Sequence, residues 1–446
     1  MVAKASKSRT GDEAAAPRRP RIAAADRERM ILSEAIRFFA EEGFDGQLRV
    51  LAARLGITHS VLFRHFPSKD ALIARVYQDV YVRRMRPEWA ASLCDRSTPL
   101  DDRLGAFYRD YTDAIFHRDW IRLFMFAGLK GVDINAPYLA LLRDTVLLPI
   151  CIEYRVASND RGSLDRPLSD REIERALGLH GRIFYLAIRK FVYGLTIPEN
   201  LGGTIGDAVA AFLSVQPDAP PEATPRLTSA TLGAAEAGPR RRMPPHERER
   251  FIVDEAVRFF AEHGMAGQMR ELARRLGVTH PLLYRYFPTK AALIERVYEE
   301  VYLDRWNADW EASLRDPSRP LSERLTTFYI QYSKAIDRYE WIRIFVFAGL
   351  HQVDICARYL DLVRRQIIEP VADALRAQRL LRSSADDRAL EIAWGLHGQI
   401  VYIAIRRWIY GLEPQGSLDR IIEDAVAGVI GMAPCHTGTA KSSTPI

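Results

Sequence analysis

Residues 51–66 read LAARLGITHSVLFRHF, and residues 272–287 read LARRLGVTHPLLYRYF. Each stretch meets the demands of two short helices crossing at a tight turn. A close crossing needs a small residue at the contact, and Ala52 and Ala273 supply it. The turn needs a residue that tolerates positive φ, and Gly56 and Gly277 supply that. Thr58 and Thr279 stand where a hydroxyl can cap the next helix. Pro281 falls in the first turn of that helix, where its missing N–H costs little. Leu62 with Phe66, and Leu283 with Phe287, lie four apart and are expected to fasten the second helix to a core. The pattern is a helix-turn-helix, written twice.

The duplication runs well beyond this motif. ILSEAIRFFAEEGFDGQ (31–47) matches IVDEAVRFFAEHGMAGQ (252–268), and DWIRLFMFAGLKGVDINAPYL (119–139) matches EWIRIFVFAGLHQVDICARYL (340–360). GLHGRIFYLAIRKFVYGL (178–195) matches GLHGQIVYIAIRRWIYGL (395–412). The offset is 221 (51 to 272) until the loop near Ser158–Pro167 and 217 afterwards (180 to 397), so the first copy carries about four more loop residues. Each copy has the length of one helix-rich subunit, far longer than a solenoid repeat.

Apolar residues at 3–4 spacing predict helices throughout: Ile31, Ala35, Phe38 and Phe39 share one face, as do Ile252, Ala256, Phe259 and Phe260. Gly43 and Gly264 then read as C′ glycines that stop these helices. Leu104, Phe107, Tyr108, Tyr111 and Ile115 continue the spacing further on. No period-2 strand is visible, and the expected class is all-α. A basic tail (1–21) precedes a head (22–86) and a helical body (87–215). A Pro-, Ala-, Thr- and Gly-rich linker (216–245) leads to a second head (246–307), a second body (308–434) and a tail (435–446). Thirty flexible residues span about 30 Å r.m.s., enough to bring the heads side by side.

The chain has 446 residues, apolar content near half and a net charge of only +6, so placement of charge says more than its total. Cys94, Cys151, Cys356 and Cys435 are scattered, with no CxxC pair and no histidine at zinc-ligand spacing. No uninterrupted apolar run reaches the roughly 20 residues of a membrane span, and the N-terminus lacks the apolar core of a secretory signal. A soluble cytoplasmic protein is expected. No phosphate-cradling glycine loop, nucleophile elbow or metal constellation is written in the chain. No catalytic residue, metal or cofactor is therefore expected, and an enzyme is the least favoured class.

With IL..A..FFAE.G, LA..LG and F(or Y)R.FP.K..LI in place, residues 27–77 and 248–298 resemble the DNA-binding domain of the TetR family of bacterial transcriptional regulators. The resemblance implies a three-helix head and a larger helical domain for dimerisation and effector binding, here two subunits fused into one pseudo-dimer. It implies that Thr58, His59 and Ser60, and Thr279, His280 and Pro281, face the major groove. Phe63, His65 and Lys69, with Tyr284, Tyr286 and Lys290, would hold phosphates. Gln47, Arg49 and Arg64, with Gln268, Arg270 and Arg285, complete the candidate DNA surface. The chain departs from the family pattern in four ways: Phe63 replaces the usual Tyr and lacks its hydroxyl, Tyr286 replaces the usual His, Val61 and Leu282 are bulky, and Gln47 and Gln268 replace a Thr.

Differences between the heads, Ser60 against Pro281 and His65 against Tyr286, predict an asymmetric operator with half-sites about one helical turn apart. Basic arms at Pro17–Arg21 and Pro239–Arg242 can track phosphates, or can be plain solubilising tails. Small residues at Gly178, Gly181 and Ala187, and at Gly395, Gly398 and Ala404, predict that segments 172–195 and 389–412 face each other. Helices 204–214 and 417–432 would complete that bundle, and ordinary intradomain packing is the plainer alternative. His180 and His397 read as structural residues. The body aromatics, including Tyr111, Phe124, Tyr332 and Phe345, with Asp133 and Asp354 as anchors, are candidates for an effector pocket or simply core. The expected partners are double-stranded DNA and a small-molecule effector, with no membrane. The chain would act as a monomeric pseudo-dimer or as a homodimer of tandem chains. The favoured reading is a DNA-binding regulator, a repressor released by its effector. The competing one is an effector-binding or protein-interaction module whose heads have lost DNA, to which Phe63 lends support.

Overall fold

The computed structural model describes residues 23–132, 135–158, 165–215, 244–378 and 386–432, the side chains of 386 and 387 excepted. Residues 216–243 of the expected linker, both basic arms, both tails, residues 159–164 of the longer loop and Asp133 lie outside the described residues, while Pro244 and Pro245, expected in the linker, begin the first helix of the second head. Among the described residues there is helix and no strand.

The first half runs α1 (Ala24–Glu42), α2 (Leu48–Arg54), α3 (His59–His65) and α4 (Lys69–Val80), then α5 (Glu88–Cys94), α6 (Leu100–Ile115) and α7 (Arg118–Lys130). It continues through α8 (Asn135–Leu142), α9 (Leu148–Ala157), α10 (Asp170–Phe191) and α11 (Gly202–Leu213). The second half repeats this order. Its head and first body helices are α12 (Pro245–His263), α13 (Met269–Leu276), α14 (His280–Tyr286), α15 (Lys290–Tyr298), α16 (Asp309–Arg315), α17 (Leu321–Ile336) and α18 (Tyr339–Leu350). The rest are α19 (Asp354–Val363), α20 (Glu369–Ala377), α21 (Asp386–Tyr410) and α22 (Leu418–Ile430).

α1 buries Ile31, Leu32, Ala35, Phe38 and Phe39 on one stripe and ends at Gly43. That glycine has φ 73° and ψ −179°, and Gly264 after α12 has φ 75° and ψ −179°. As expected from the sequence, both glycines end their helices, with positive φ and an extended ψ. A Cβ on Gly43 would lie 3.0 Å from the Phe126 ring, and one on Gly264 2.7 Å from Phe347, so each glycine also admits the body against its head.

Between α8 and α9, and again between α19 and α20, one wide turn interrupts the helix at Arg143–Leu147 and Arg364–Ile368. Pro149 and Pro370 follow in the first turn of the next segment. Proline has no N–H for the residue four back and its ring crowds that carbonyl, so the ladder widens to a five-residue step. The N–H of Leu148 accordingly reaches Arg143, and that of Glu369 reaches Arg364. The continuous run Asn135–Ala157 is 23 residues long, and its most apolar 18 residues have a mean hydropathy of 1.2. It nevertheless carries Glu153 and Arg155, both buried in ion pairs within the body.

α10 and α21 cross so closely that each places a tyrosine over the other's glycine. A Cβ on Gly181 would lie 2.4 Å from the Tyr402 ring, and one on Gly398 2.2 Å from the Tyr185 ring. α11 and α22 pack beside them. Reciprocal ion pairs tie the halves: Arg189 to Glu391 (2.7 Å) and Arg406 to Glu174 (2.6 Å), then Arg171 to Asp424 (2.6 Å) and Arg388 to Asp207 (2.7 Å). Helix propensity favours Ala over Gly by about 1 kcal/mol, yet overpacking a close contact costs about 1–3 kcal/mol. Gly181→Ala and Gly398→Ala should therefore each lower stability in a denaturant titration; a rise would show that the crossing has slack.

The bodies are not equivalent. Glu172 begins α10 in a capping box with Ser169 and pairs with buried Arg155 at 2.5 Å; the matching residue in the second half is Ala389. Burial pushes the Glu172 carboxyl up, but hydrogen bonds from Arg155 and from the backbone and hydroxyl of Ser169 outweigh it and hold the group at about 2. The ordinary carboxyl value is 4.5. This contribution is complete above the unfolded pKa and is lost as pH falls from there toward the folded one. At 1.4 kcal/mol per pH unit it amounts to roughly 3 kcal/mol. Glu172→Gln should therefore be less stable than the parent at pH 7 and should lose less on acidification from pH 4.5 to pH 2.5. Unfolding curves at the two pH values check both.

Candidate nucleic-acid interface

Each head is built on its first helix, against which the two crossed helices lie. Leu51, Ala52, Leu62 and Phe66 turn inward in the first head, and Leu272, Ala273, Leu283 and Phe287 in the second. Gly56 and Gly277 hold the turn at φ 63° and 65°. Thr58 and Thr279 are the N-cap residues in extended backbone, but neither hydroxyl caps the helix. The Thr58 hydroxyl instead lies 2.9 Å from that of Ser60. Capping by a side chain occurs one helix later, where Ser68 and Thr289 each accept from the N–H three residues on, both at 3.0 Å.

The outer faces of α3 and α14 collect most of the candidate DNA residues. Gln47, Arg49, Thr58, His59, Ser60 and Arg64 are exposed in the first head, and Gln268, Arg270, Thr279, Pro281, Tyr284 and Arg285 in the second. Phe63, His65, His280 and Tyr286 are half-buried, with Phe63 and Tyr286 packed on the core. In both heads the histidine packs edge-on to the aromatic four residues later: His59 on Phe63 at 4.5 Å and His280 on Tyr284 at 4.8 Å.

The arginines divide into two groups. Arg54 pairs with Glu41 and Glu42, and Arg275 with Glu255 and Glu262, so these brace the motif against its first helix. Arg49, Arg64, Arg270 and Arg285 make no ion pair among the described residues. Lys69 and Lys290 are half-buried rather than extended. The Lys69 ammonium donates to the Gly46 carbonyl at 3.0 Å, and burial pushes Lys290 below the ordinary lysine value.

Two residues missed in the sequence reading join each head to the body of the other half. Arg122, on α7, donates through Nε to the Ala40 carbonyl in the last turn of α1 (2.6 Å). Through Nη2 it donates to the Leu350 carbonyl at the end of α18 in the other half (2.6 Å). Arg343 mirrors it, binding the Ala261 carbonyl of its own head (2.8 Å) and the Leu129 carbonyl of the first half (2.5 Å). Helix ends leave carbonyls unpaired and carry partial negative charge, so one buried guanidinium answers two of them. Burial pushes Arg122 down to about 10 and lowers Arg343, and both stay cationic at neutral pH. The signal in the sequence was a charged residue at the same place in two otherwise apolar helices, WIRLF and WIRIF. The double variant Arg122→Met/Arg343→Met keeps the apolar stems and removes both brackets. With spin labels at Arg29→Cys and Arg250→Cys, and Cys94 and Cys435 replaced by Ser, the distribution of head-to-head distances should broaden while helicity is kept. An unchanged distribution would mean the heads are placed by other contacts.

The proposed effector residues fare differently. Tyr111, Phe124, Tyr332 and Phe345 are buried in aromatic core; the Tyr111 hydroxyl lies 3.1 Å from that of Tyr138 and 3.4 Å from His180 Nε2. None of the four lines the cavity of about 440 Å³ nearby, which is walled by Leu139, Leu147, Leu177 and His180 of the first half and by Tyr402 and Tyr410 of the second. Asp354 does not anchor a pocket: its side chain is 81% exposed and pairs with Arg358 four residues on, because it opens α19 at the surface. His180 and His397 are buried with Nδ1 unpartnered, and burial pushes both down to about 3, so they are neutral core groups.

No curated protein matches the chain. A solved structure of a TetR-family transcriptional regulator from Mesorhizobium loti is 15% identical, covering 42% of this chain and 95% of its own, with a TM-score of 0.32. That likeness is too slight to bear on the fold. The family model described as bacterial regulatory proteins, tetR family, matches twice, at residues 31–76 and 252–297. Those two matches span the paired heads from the first buried helix to the one after the recognition helix. The chain carries the DNA-binding domain of the tetR family of bacterial regulatory proteins twice, as a tandem TetR-like duplication.

Proposed function

We propose that this DNA-binding regulator is a repressor that works as a one-chain pseudo-dimer in the cytoplasm, without catalytic activity. Its two non-identical heads read an asymmetric operator. The observation that carries the reading is the pair of arginine brackets, which tie the first helix of each head to the body of the other half, beneath two exposed recognition helices. Arg49, Arg64, Arg270 and Arg285 neutralise phosphates, and the N-terminal ends of α3 and α14 meet base edges. Release follows when a small apolar molecule enters the body, for which the cavity walled by both halves is the favoured place. Such a ligand acts only by preferring the conformation in which the heads no longer fit the operator; tight binding to both states would shift nothing.

Selection of bound sequences from random duplexes, followed by gel shift on the region upstream of the chain's own gene, tests this reading. Two dissimilar half-sites about one helical turn apart are expected. Arg64→Ala and Arg285→Ala should each weaken binding and lower the salt slope by about one. A chain that retains no duplex in low salt would instead be a module whose heads have lost DNA, consistent with the missing hydroxyl at Phe63.

A further inference from the structure

At the middle of the α10–α21 crossing, matching positions of the two halves meet each other, and they differ. Arg182 of the first half faces Gln399 of the second. Glycines make room for both side chains: a Cβ on Gly178 would lie 2.4 Å from Gln399 Nε2, and one on Gly395 3.2 Å from Arg182 Cγ. Arg182 donates through Nε and Nη2 to the same Gln399 Oε1, at 3.1 and 2.7 Å. Its Nη1 has no partner among the described residues. The guanidinium is 7% exposed and makes no ion pair, because the nearby carboxylate, Asp207, is held by Arg388.

Arg182 and Gln399 form part of the wall of a cavity of about 320 Å³ between the halves. Most of the remaining wall surface is apolar, with Leu179, Ala208, Phe212 and Ile421 among its residues, and Arg171, Arg175 and Arg420 also line it. Two carboxylates of the wall are already answered, Glu174 by Arg406 and Asp424 by Arg171, and Asp170 is exposed. A buried cation without an anion is costly, and a space of this size suits a small organic ligand.

We propose that this seam cavity is a binding site for a small amphipathic carboxylate, its anionic end on Arg182 and its apolar body against Leu179 and Phe212. The site is a second cavity beside the body cavity favoured above for release, sharing Glu174 and Gln415 of its wall, and it touches both halves at once. It exists because the halves differ: two copies of the first would set Arg against Arg here, and two copies of the second would set Gln against Gln.

Isothermal titration of the full chain with octanoate, decanoate and 4-phenylbutanoate, and with 1-octanol as the uncharged control, tests it. At least one of the carboxylates should bind once per chain, and at least tenfold more tightly than the alcohol. Arg182→Gln should weaken that carboxylate at least tenfold, and its unliganded melting temperature should match or exceed the parent's, since a buried charge without an anion has been removed. Failure of all three carboxylates to bind, equal binding of the alcohol, or unchanged binding to Arg182→Gln would each overturn the proposal. A variant that melts well below the parent would do so too, marking Arg182 as a strut of the seam. None of these readouts involves DNA, so the proposal can fail while the regulator reading stands.

Discussion

Two helices approaching on glycine set the geometry of everything else in this molecule. With Tyr402 seated on Gly181 and Tyr185 on Gly398, α10 and α21 cross at a distance that larger residues would not permit. The ion pairs at the ends of the crossing then act on register more than on stability. Taking both partners out of water costs about as much as their attraction returns, whereas leaving either one alone is expensive. A slipped or rotated crossing would separate Arg189 from Glu391 and Arg406 from Glu174 together, stranding four charges, three of them buried. The seam is thus specified twice, by shape at its centre and by charge toward its ends.

From that seam the placement of the heads follows by short mechanical links. α7 and α18 pack against each other and against the crossing helices, and each lends a buried arginine to the first helix of its head. Gly43 and Gly264 let Phe126 and Phe347 close against the turn that leaves those helices. A conformational change that slid α7 past α18 would therefore move both heads. It would break two hydrogen bonds that no water can readily replace, because the guanidiniums are buried. Joining the halves covalently adds a further effect: the second head meets DNA at an effective concentration set by the frame, not by the protein's abundance.

Local rules made much of this legible in the sequence. Periodicity marked the first helix of each head, positive φ demanded Gly56 and Gly277, and the repetition itself announced two units. The small residues of GLHG signalled a close helix crossing, although the tyrosines that fill the space had to be seen. What stayed hidden depends on partners far away in the chain. Arg122 reads as an interruption of an apolar helix until Leu350, 228 residues on, is placed beside it. Asp354 looked like an anchor because it recurs in VDI, but the start of α19 carries it to the surface. Thr58 occupies the cap position, and its hydroxyl turns to Ser60 instead. Spacing fixes which residue starts a helix; it does not fix which of several nearby acceptors a hydroxyl chooses.

Fusion also changes which sequences are allowed. In a symmetric homodimer any residue on the twofold axis meets its own copy, so a buried arginine there would face a second buried arginine. Placing the two copies in one chain removes that constraint, and Arg182 against Gln399 is an arrangement only unlike halves can adopt. The same freedom is visible away from the axis, where the first body keeps Glu153 and Glu172 and the second has Ala374 and Ala389 at the matching positions. It is visible again on the heads, where Ser60 stands against Pro281. A homodimer cannot diverge in this way, since every change is forced on both half-sites at once. Here each half can be tuned alone, and an operator need not be a palindrome for both heads to fit it.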